Sequence, residues 1–459
     1  MASIKDLNNG SYRIRISAGF DGSGKRRFYT ETYTPTAKTL RAIENELSKH
    51  CAILQKQVDD GLIAISDGTT FSQFIDTWFN DWATEHLTKS QQDAYMSHLL
   101  THVVPVIGNT KITQVKKKHC IQIINNMKTA GKAPKTIRRI VTAARSVFKY
   151  AVYCEIIVSD PFENVILPPI EKDNEIHCFD VAQAQRFLYA LTLKYPKSYG
   201  GRKRKDSTGK TYPVKSYVTY HEVPFQFQVY FNLAIQAGLR RGEALALTWN
   251  DINFDNQIIS VTKAVSETKN GQIIGKTKTP SAVREIYVSR EVMDLLENWY
   301  DQQKEMCMLS EWQGMPLSRI NQNPVFIQTT SKKVNGIIVS HLGQRMDLHT
   351  PEDRFKRILN DYNALVASQA ETLPEDQKKR KLAEQLPVIR LHDLRHTFAS
   401  ILIGNGCDIV TVSKLMGHAS PSITMDVYSH LLRRNAQDAA RVFENLFQDT
   451  CKHENYMQA

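Results

Sequence analysis

Residues 392–430 hold the most informative stretch of this sequence. It begins His392-Asp393-Leu394-Arg395-His396, continues through Leu415-Met416-Gly417-His418 and ends at Tyr428-Ser429-His430. Histidines can transfer protons near neutral pH, and an arginine guanidinium matches two phosphate oxygens. A tyrosine hydroxyl can act as a covalent nucleophile when its deprotonation is assisted. The stretch therefore indicates chemistry on a phosphodiester, although several hydrolases use the same groups.

The composition is that of a basic globular protein with several domains. Its 459 residues exceed what one hydrophobic core usually supports, and 42% hydrophobic residues argue against extensive disorder. The 59 Lys and Arg residues outnumber the 47 Asp and Glu residues, which leaves a net charge of +12. This excess favours a polyanionic partner such as nucleic acid, with a mere role in solubility as the alternative.

The cysteines and the N-terminal segment bear on the cellular compartment. Seven cysteines are scattered along the chain and are never spaced C-x-x-C, which is typical of reduced thiols rather than of disulfides or a zinc site. The first residues lack the apolar segment of a signal peptide, and no later run is long enough to cross a bilayer. We therefore expect a soluble, cytoplasmic protein.

The first domain is predicted over residues 1–62 as a three-stranded sheet followed by a helix. Tyr12, Ile14 and Ile16 alternate with arginines, which is the period of a half-buried strand, and Asp21–Gly24 predicts a hairpin turn. A helix after Pro35 is predicted from an apolar stripe that comprises Leu40, Ile43, Leu47, Cys51, Leu54 and Val58. The outer face of the sheet is expected to contact DNA, rather than being merely solvated, through Arg13, Arg15, Arg26 and Arg27.

The second domain is predicted over residues 69–168 and is helical throughout. Thr70 is placed to cap its first helix, and further helices are expected at Lys89–Val103, Lys117–Ala130 and Pro134–Cys154. Many cations lie along these helices, and the predicted DNA contacts among them are Lys117, Lys135, Arg138 and Arg139. We interpret the domain as a DNA-binding module, with solvated helix faces as the alternative.

The third and largest domain is predicted over residues 174–459, after the proline-containing segments at 159–161 and 167–169. Residues 194–223 are polar and basic and predict an inserted surface loop, whereas residues 352–385 predict a second, largely helical insertion.

The helical pattern of residues 225–247 is interrupted by Gly238 and Gly242, which places Arg240 near a helix N-terminus. Strands are predicted at 257–261 and 284–288, and the loop before the second strand carries Lys276 and Lys278.

These motifs resemble one family. Gly238-Leu239-Arg240-x-x-Glu243, Lys278-Thr279, His392-x-x-Arg395, Gly417-His418 and Tyr428 occur in the order and spacing of the tyrosine recombinases, or phage integrases. The layout is most similar to integrases of temperate phages and of Gram-positive conjugative transposons. The resemblance spans nearly the whole chain, is most specific over 236–254 and 388–430, and is weaker over the first sixty or so residues. It implies a mainly α multidomain fold with small β-sheets: an arm-binding sheet domain, a helical core-binding domain and an α+β catalytic domain.

The resemblance also implies a role for each main catalytic group. Arg240 and Arg395 would hold the scissile phosphate and neutralise the charge that accumulates on its oxygens. Tyr428 would attack phosphorus to give a 3′-phosphotyrosyl bond and a free 5′-hydroxyl group. Lys278 would protonate the leaving oxygen, and Lys276, two residues earlier, is its alternative.

The remaining polar groups would assist. His392 would help to remove the tyrosine proton, and His418 would donate a hydrogen bond to the phosphate. Glu243 would orient Arg240 or His392. His396 and His430 would be hydrogen-bond donors behind these groups, with packing or hydrogen-bonded structure favoured over direct catalysis.

Covalent storage of the phosphoester implies that ATP is not required, and no metal or other cofactor is expected because the two guanidiniums and the lysine would take the role of a metal. A zinc site built from the histidines at 392, 396, 418 and 430 is the disfavoured alternative. The implied partners are double-stranded DNA with arm and core sites, three further copies of the chain, and an excisionase and a host DNA-bending protein. An apolar stripe at 439–447 would dock on a neighbouring copy, or else on its own domain.

The implied function is integration and excision of a mobile element, at the nucleoid of a bacterial host. A type IB topoisomerase and a DNA-binding regulator without catalysis are the alternatives.

Overall fold

The computed structural model describes residues 2–20, 26–59, 68–170, 177–199, 203–205, 211–213, 216–277, 280–309, 312, 317–334, 337–339 and 342–428. The predicted turn at 21–24, Lys278, His430 and the apolar stripe at 439–447 lie outside these residues. The chain divides into two compact units, Met1–Asp173 and Asn174–Ala459, and the finer division at 1–62, 69–168 and 174–459 stays a prediction. Among the described helices, none combines the length and apolar character needed to cross a membrane.

The first unit begins with a small antiparallel sheet in the order β1 (Ser3–Asp6), β2 (Tyr12–Phe20) and β3 (Arg26–Tyr33). As the alternation predicts, Ile14 and Ile16 are buried, and the two arginines between and before them are exposed. Helix α1 (Leu40–Asp59) buries the predicted stripe from Leu47 to Val58, whereas Leu40 at its first turn is 78% exposed.

The helical part of the first unit has its own core. It comprises α2 (Phe71–Trp78), a π-helical turn (Phe79–Ala83), α3 (Thr84–His86), α4 (Lys89–His98), a second π-helical turn (Leu99–Val103), α5 (Val104–Ile107), α6 (Lys117–Thr129) and α7 (Pro134–Tyr153). The Thr70 hydroxyl accepts from the Gln73 amide at the start of α2, which is the predicted cap. The guanidinium of Arg138 donates to the Pro168 carbonyl at 3.0 Å, so part of this cation is bound to the chain itself.

The helices of the second unit surround an apolar core that is centred on α9. They are α8 (Val181–Ala190), α9 (Phe225–Gln236), α10 (Arg241–Ala246), α11 (Arg290–Cys307), α12 (Thr350–Glu371), α13 (Glu375–Leu382), α14 (Asp393–Gly404) and α15 (Ile409–Met416), and residues 421–428 are also helical. Phe231 of α9 packs edge-on against Phe187 of α8, and Phe187 contacts Phe355 of α12 in the same way. Helices α12 and α13 confirm that residues 352–385 are largely helical.

The strands of the second unit form small antiparallel sheets. They are β4 (Lys194–Tyr199), β5 (Lys203–Lys205), β6 (Thr211–Pro213), β7 (Tyr217–Glu222), β8 (Ile252–Asn253), β9 (Ile258–Val261), β10 (Lys263–Thr268), β11 (Gly271–Lys276), β12 (Arg284–Tyr287), β13 (Lys332–Val334) and β14 (Ile337–Val339). The two predicted strands are present as β9 and β12 and pair with each other, with Arg284 opposite Val261. Between them lies an unpredicted hairpin, β10–β11.

The prediction of a loop over residues 194–223 is wrong. Strands β4 and β7 pair along their whole length, from Lys194 opposite Glu222 to Tyr199 opposite Tyr217, and β5 pairs with β6. Most of the side chains of β4 and β7 are exposed on both faces. The alternation of apolar and polar residues that reveals a half-buried strand is therefore missing.

Candidate active site

A sharp turn between α9 and α10 positions Arg240. Gly238 has a φ of +59°, a left-handed conformation that favours glycine, and a Cβ atom at this position would run into the ring of Phe398. Arg240 follows in extended conformation as the residue that caps α10. The Gly238 carbonyl accepts from Nη1 of Arg395 at 2.5 Å, so the turn also ties the two predicted phosphate-binding arginines together.

Glu243 is the buried carboxylate of the site, and its side chain is only 3% exposed. Its Oε1 accepts from Nη1 of Arg240 at 2.7 Å, and its Oε2 accepts from the Arg240 amide and from Nη2 of Arg284, both at 2.9 Å. Burial alone would raise the pKa of Glu243, but the hydrogen bonds and charges of Arg284 and Arg240 outweigh it and lower the pKa to about 2. Glu243 is therefore anionic at physiological pH. Of its two predicted partners, Arg240 is the one that it contacts.

Three arginines converge on the C-terminal end of α15. The carbonyls of the consecutive residues Leu415, Met416 and Gly417 accept from Arg284 Nε (2.6 Å), Arg395 Nη2 and Arg240 Nη2 (2.9 Å), respectively. These carbonyls have no acceptor role within the helix and carry its partial negative charge, so they are suitable partners for cations. The end of this helix therefore assembles the cationic groups of the site.

The start of α14 is held by a buried carboxylate. Asp393, which is 1% exposed, accepts from the amide, Nε and Nη2 of Arg390. One turn later, the Thr397 hydroxyl donates to the Asp393 carbonyl and accepts from the Phe179 amide at 3.1 Å. These bonds fix the helix from which His392, Arg395 and His396 project.

His392 and His418 flank the arginines. Solvent reaches the His392 side chain through the cleft, yet desolvation by the surrounding protein and the nearby charges of His396 and Arg395 lower its pKa to about 4. Burial and the charges of Arg395 and Arg240 lower the pKa of His418 to about 4 as well, and its Nδ1 is 2.8 Å from the Thr424 hydroxyl. Both imidazoles are therefore neutral at pH 7.

Tyr428 is fully buried, and its hydroxyl is hydrogen-bonded to Nδ1 of His396 at 2.7 Å. Burial raises the pKa of Tyr428 above its ordinary value, so the phenol is neutral in this conformation. Burial likewise lowers the pKa of His396, which leaves a neutral imidazole that can accept the hydrogen bond. The rings of His396 and His392 meet edge to face, with centroids 5.3 Å apart.

A cleft of about 480 Å³ opens beside these groups. Its lining includes Arg240, Arg241, Arg390, His392 and Arg395. Such a concentration of guanidiniums matches an anionic ligand with several oxygen acceptors, such as a DNA backbone.

The structure brings together Arg240, Glu243, His392, Arg395, His396, His418 and Tyr428, whereas Lys278 and His430 lie outside the described residues. Sequence reasoning missed Arg284, and it did not identify Tyr428 as the hydrogen-bond partner of His396. The available signal for Arg284 was its strand register, because it shares the inward face of β12 with the buried Ile286. Within the described part of the chain, no three His, Cys, Asp or Glu side chains are grouped as metal ligands.

Two family profiles match the chain, one within each compact unit. Residues 217–434 match the sequence profile of the phage integrase family, and residues 71–166 match that of the phage integrase central domain.

Two integrase and transposase relatives align with most of this chain. The ICEBs1 integrase of Bacillus subtilis strain 168 is 22% identical over 97% of this chain and 100% of its own length. The transposase of transposon Tn916 from Enterococcus faecalis is 20% identical over 84% of this chain and 80% of its own.

Among solved structures, the Tn1549 transposon integrase in complex with transposon right end DNA shares the fold. It has a TM-score of 0.54 and 20% identity, and the match covers 81% of this chain and 100% of the other. The family and fold predicted from the motifs are thus confirmed, and the chain belongs to the phage integrase family of tyrosine recombinases.

Proposed function

We propose that this protein integrates and excises a mobile genetic element by cutting and rejoining DNA at specific sites, with Tyr428 as the nucleophile. The observation that carries the assignment of residues is the convergence of Arg240 and Arg395 on adjacent carbonyls at the end of α15. Tyr428 lies on the next helical segment and is hydrogen-bonded to His396, the residue after Arg395. Nucleophile and phosphate-binding groups are therefore part of one packed arrangement.

In the proposed cleavage step, Arg240 and Arg395 donate hydrogen bonds to the non-bridging oxygens of the scissile phosphate. The Tyr428 oxygen attacks phosphorus, the bond from phosphorus to the 5′ oxygen breaks, and the DNA 3′ end becomes a phosphotyrosyl ester. The departing 5′ oxygen takes a proton from Lys278. Rejoining reverses the step, with a 5′-hydroxyl group from the partner strand as the nucleophile.

The tyrosine proton needs an acceptor, because the raised pKa keeps the phenol neutral at pH 7. His396 holds the phenol in its buried position, and we propose that the hydroxyl leaves this position to reach a phosphate in the cleft. His392 lines the cleft and is neutral, so we assign it the role of accepting the proton at the phosphate. His418, held by Thr424, donates to a phosphate oxygen.

The basic surfaces of the first unit support a role in holding DNA. Arg13, Arg15 and Arg26 are exposed on the sheet, and Lys117, Lys135 and Arg139 are exposed on the helices. We assign the sheet to arm sites and the helices to core sites.

Exchange between two duplexes requires four strand cleavages, which supports a tetramer of this chain on DNA. We place it in the bacterial cytoplasm, with an excisionase and a DNA-bending protein as directional partners.

A nicked DNA substrate tests the proposal, because the fragment beyond the nick diffuses away and traps the covalent adduct. Wild-type protein is expected to form an adduct resistant to denaturation, and Tyr428→Phe none. Tyr287→Phe is the matched control, since Tyr287 is 71% exposed on β12. The proposal is contradicted if the wild-type protein forms no adduct, or if Tyr428→Phe still forms one. Relaxation of plasmids that lack the attachment sites would instead favour a topoisomerase.

A further inference from the structure

We propose that Arg284 is a positioning residue of the recombination reaction, which orients Arg240 toward the phosphate through Glu243 and the end of α15. The inference rests on the proposed role of Arg240 in phosphate binding. Arg284 belongs to none of the motifs that identified the family, and it lies on β12, far from Arg240 and from α15 in sequence.

Arg284 is placed behind the site rather than in it. Its side chain is 6% exposed, whereas that of Arg240 is 35% exposed and lines the cleft. All three of its nitrogens donate to the protein: Nε to the Leu415 carbonyl at 2.6 Å, Nη1 to the Ala282 carbonyl at 3.2 Å and Nη2 to Glu243 at 2.9 Å. Its effect on a bound phosphate must therefore pass through other residues.

The two oxygens of the Glu243 carboxylate bind different guanidiniums, which explains how Arg284 can affect Arg240. Oε2 accepts from Arg284, and Oε1 accepts from Arg240. Carboxylates commonly bind a guanidinium with both oxygens at once. Without Arg284, Glu243 can take a second hydrogen bond from the Arg240 side chain and turn its guanidinium away from the cleft. By occupying one oxygen, Arg284 limits Glu243 to one bond with that side chain.

Gly417 provides an independent indication of the same arrangement. It has a φ of +61°, and a Cβ atom at this position would lie 3.0 Å from Nη1 of Arg284 and 3.2 Å from Cα of Ala282. The glycine therefore leaves room for the Arg284 guanidinium at the end of α15. The Gly417 carbonyl, which accepts from Arg240, and the following residue, His418, take their positions from this packing.

The rate of adduct formation on the nicked substrate, measured in single turnover at several DNA concentrations, tests the role. Arg284→Met is expected to lower the maximal rate by about 10- to 100-fold, the effect of a small misplacement of a catalytic group. The DNA concentration for half-maximal rate should stay within about twofold, since the Arg284 side chain is buried. Arg284→Lys should recover part of the rate, because one ammonium can bind Glu243 but lacks the planar fork. Arg290→Met is the control, as Arg290 pairs with surface acids on α11.

Two further readouts separate positioning from simple loss of stability. In Arg284→Met, Glu243 loses the partner that contributes most to lowering its pKa, so its pKa rises. Because protonated Glu243 binds Arg240 less strongly, the rate deficit should narrow as the pH falls from 7 to 5. The deficit of Glu243→Gln should not change over that range, because glutamine does not titrate. The Glu243→Gln/Arg284→Met double variant should be no slower than Glu243→Gln alone. Because the double variant does not bury a carboxylate that has lost its Arg284 partner, it can replace Arg284→Met in this test if that single variant does not fold.

The proposal is overturned if Arg284→Met cleaves at the wild-type maximal rate, or if its deficit lies in DNA affinity alone. It is also overturned if the deficit multiplies with that of Glu243→Gln or does not change with pH. If the wild-type protein itself forms no adduct, the proposed function fails instead. Normal adduct formation by wild type, Arg290→Met and Arg284→Met together would reject only the role of Arg284.

Discussion

Replacing Glu243 with glutamine should destabilise the catalytic unit strongly, although the two side chains have nearly the same shape. The buried carboxylate is hydrogen-bonded to the guanidiniums of Arg240 and Arg284. It also lies close enough to Arg395 for its negative charge to raise the pKa of that arginine. Glutamine keeps one acceptor but removes the negative charge. The arginines then remain together without their shared counter-ion, and removing one member of a buried ion pair leaves an uncompensated charge.

The pKa of Glu243 gives the magnitude. Lowering it from the ordinary value of 4.5 to about 2 corresponds to about 3 kcal/mol of stability at neutral pH. Between these two values the unfolded chain binds more protons than the folded chain, so the contribution is complete above about pH 5. It falls as the pH drops through 4.5 toward 2, and by about pH 3 less than half of it remains. The difference between wild type and Glu243→Gln should shrink in the same window.

Hydrogen–deuterium exchange in a denaturant series is the suitable assay, because a chain with two compact units does not unfold in one transition. Peptides from α9 and α14 report the unit that contains Glu243. Glu285→Gln is the control, since Glu285 is exposed on β12 and its loss should cost no more than about 0.5 kcal/mol. Equal protection in the two variants, or a wild-type advantage that is unchanged at pH 3.5, would refute the reasoning.

Two further predictions concern the turn before Arg240 and the proton acceptor. Gly238→Ala adds a Cβ atom that meets the Phe398 ring at a positive φ, so it should lower the stability of the catalytic unit by about 2 kcal/mol or more; wild-type denaturant midpoints for α14 exchange would contradict this. His392→Gln should slow adduct formation at pH 7 by about 100-fold, and its rate should rise with pH as the fraction of ionised Tyr428, whose pKa is raised by burial, increases. Because the pKa of His392 is about 4, titration of His392 should not change the wild-type rate above pH 6. His349→Gln, at an exposed position, is the control. Equal pH profiles for wild type and His392→Gln would exclude the assigned role.

The helices were predictable because their signals are local. Thr70 and Gln73 lie three residues apart and form the capping box that begins α2. Pro134 stands at the first position of α7, where its fixed φ suits a helix. The alternation around Ile14 and Ile16 similarly identified β2, because one face of that strand is buried.

The missed features depend on contacts between distant residues. The hairpin of β4 and β7 has few buried side chains to reveal its period, and its pairing is set by backbone hydrogen bonds that any sequence can make. Arg284 and Glu243 are separated by 41 positions, and a lone arginine at an inward strand position does not name its partner. The bond between His396 and Tyr428 spans 32 positions and depends on how α14 packs against the helix that follows α15.

The choice of carbonyls as partners for the arginines has a consequence for function. Three guanidiniums and one buried carboxylate leave the site with excess positive charge, which the partial negative charge at the end of α15 offsets without neutralising it. Glu243 binds one nitrogen of Arg240, but a further acidic side chain in place of these carbonyls would compete with a phosphate for the remaining donors of Arg240 and Arg395. Peptide carbonyls orient the guanidiniums and keep their full charge, so the cationic groups are in place before DNA arrives. A phosphodiester then supplies the missing negative charge, and because the donors are already oriented, the growing charge of the transition state is stabilised with little rearrangement.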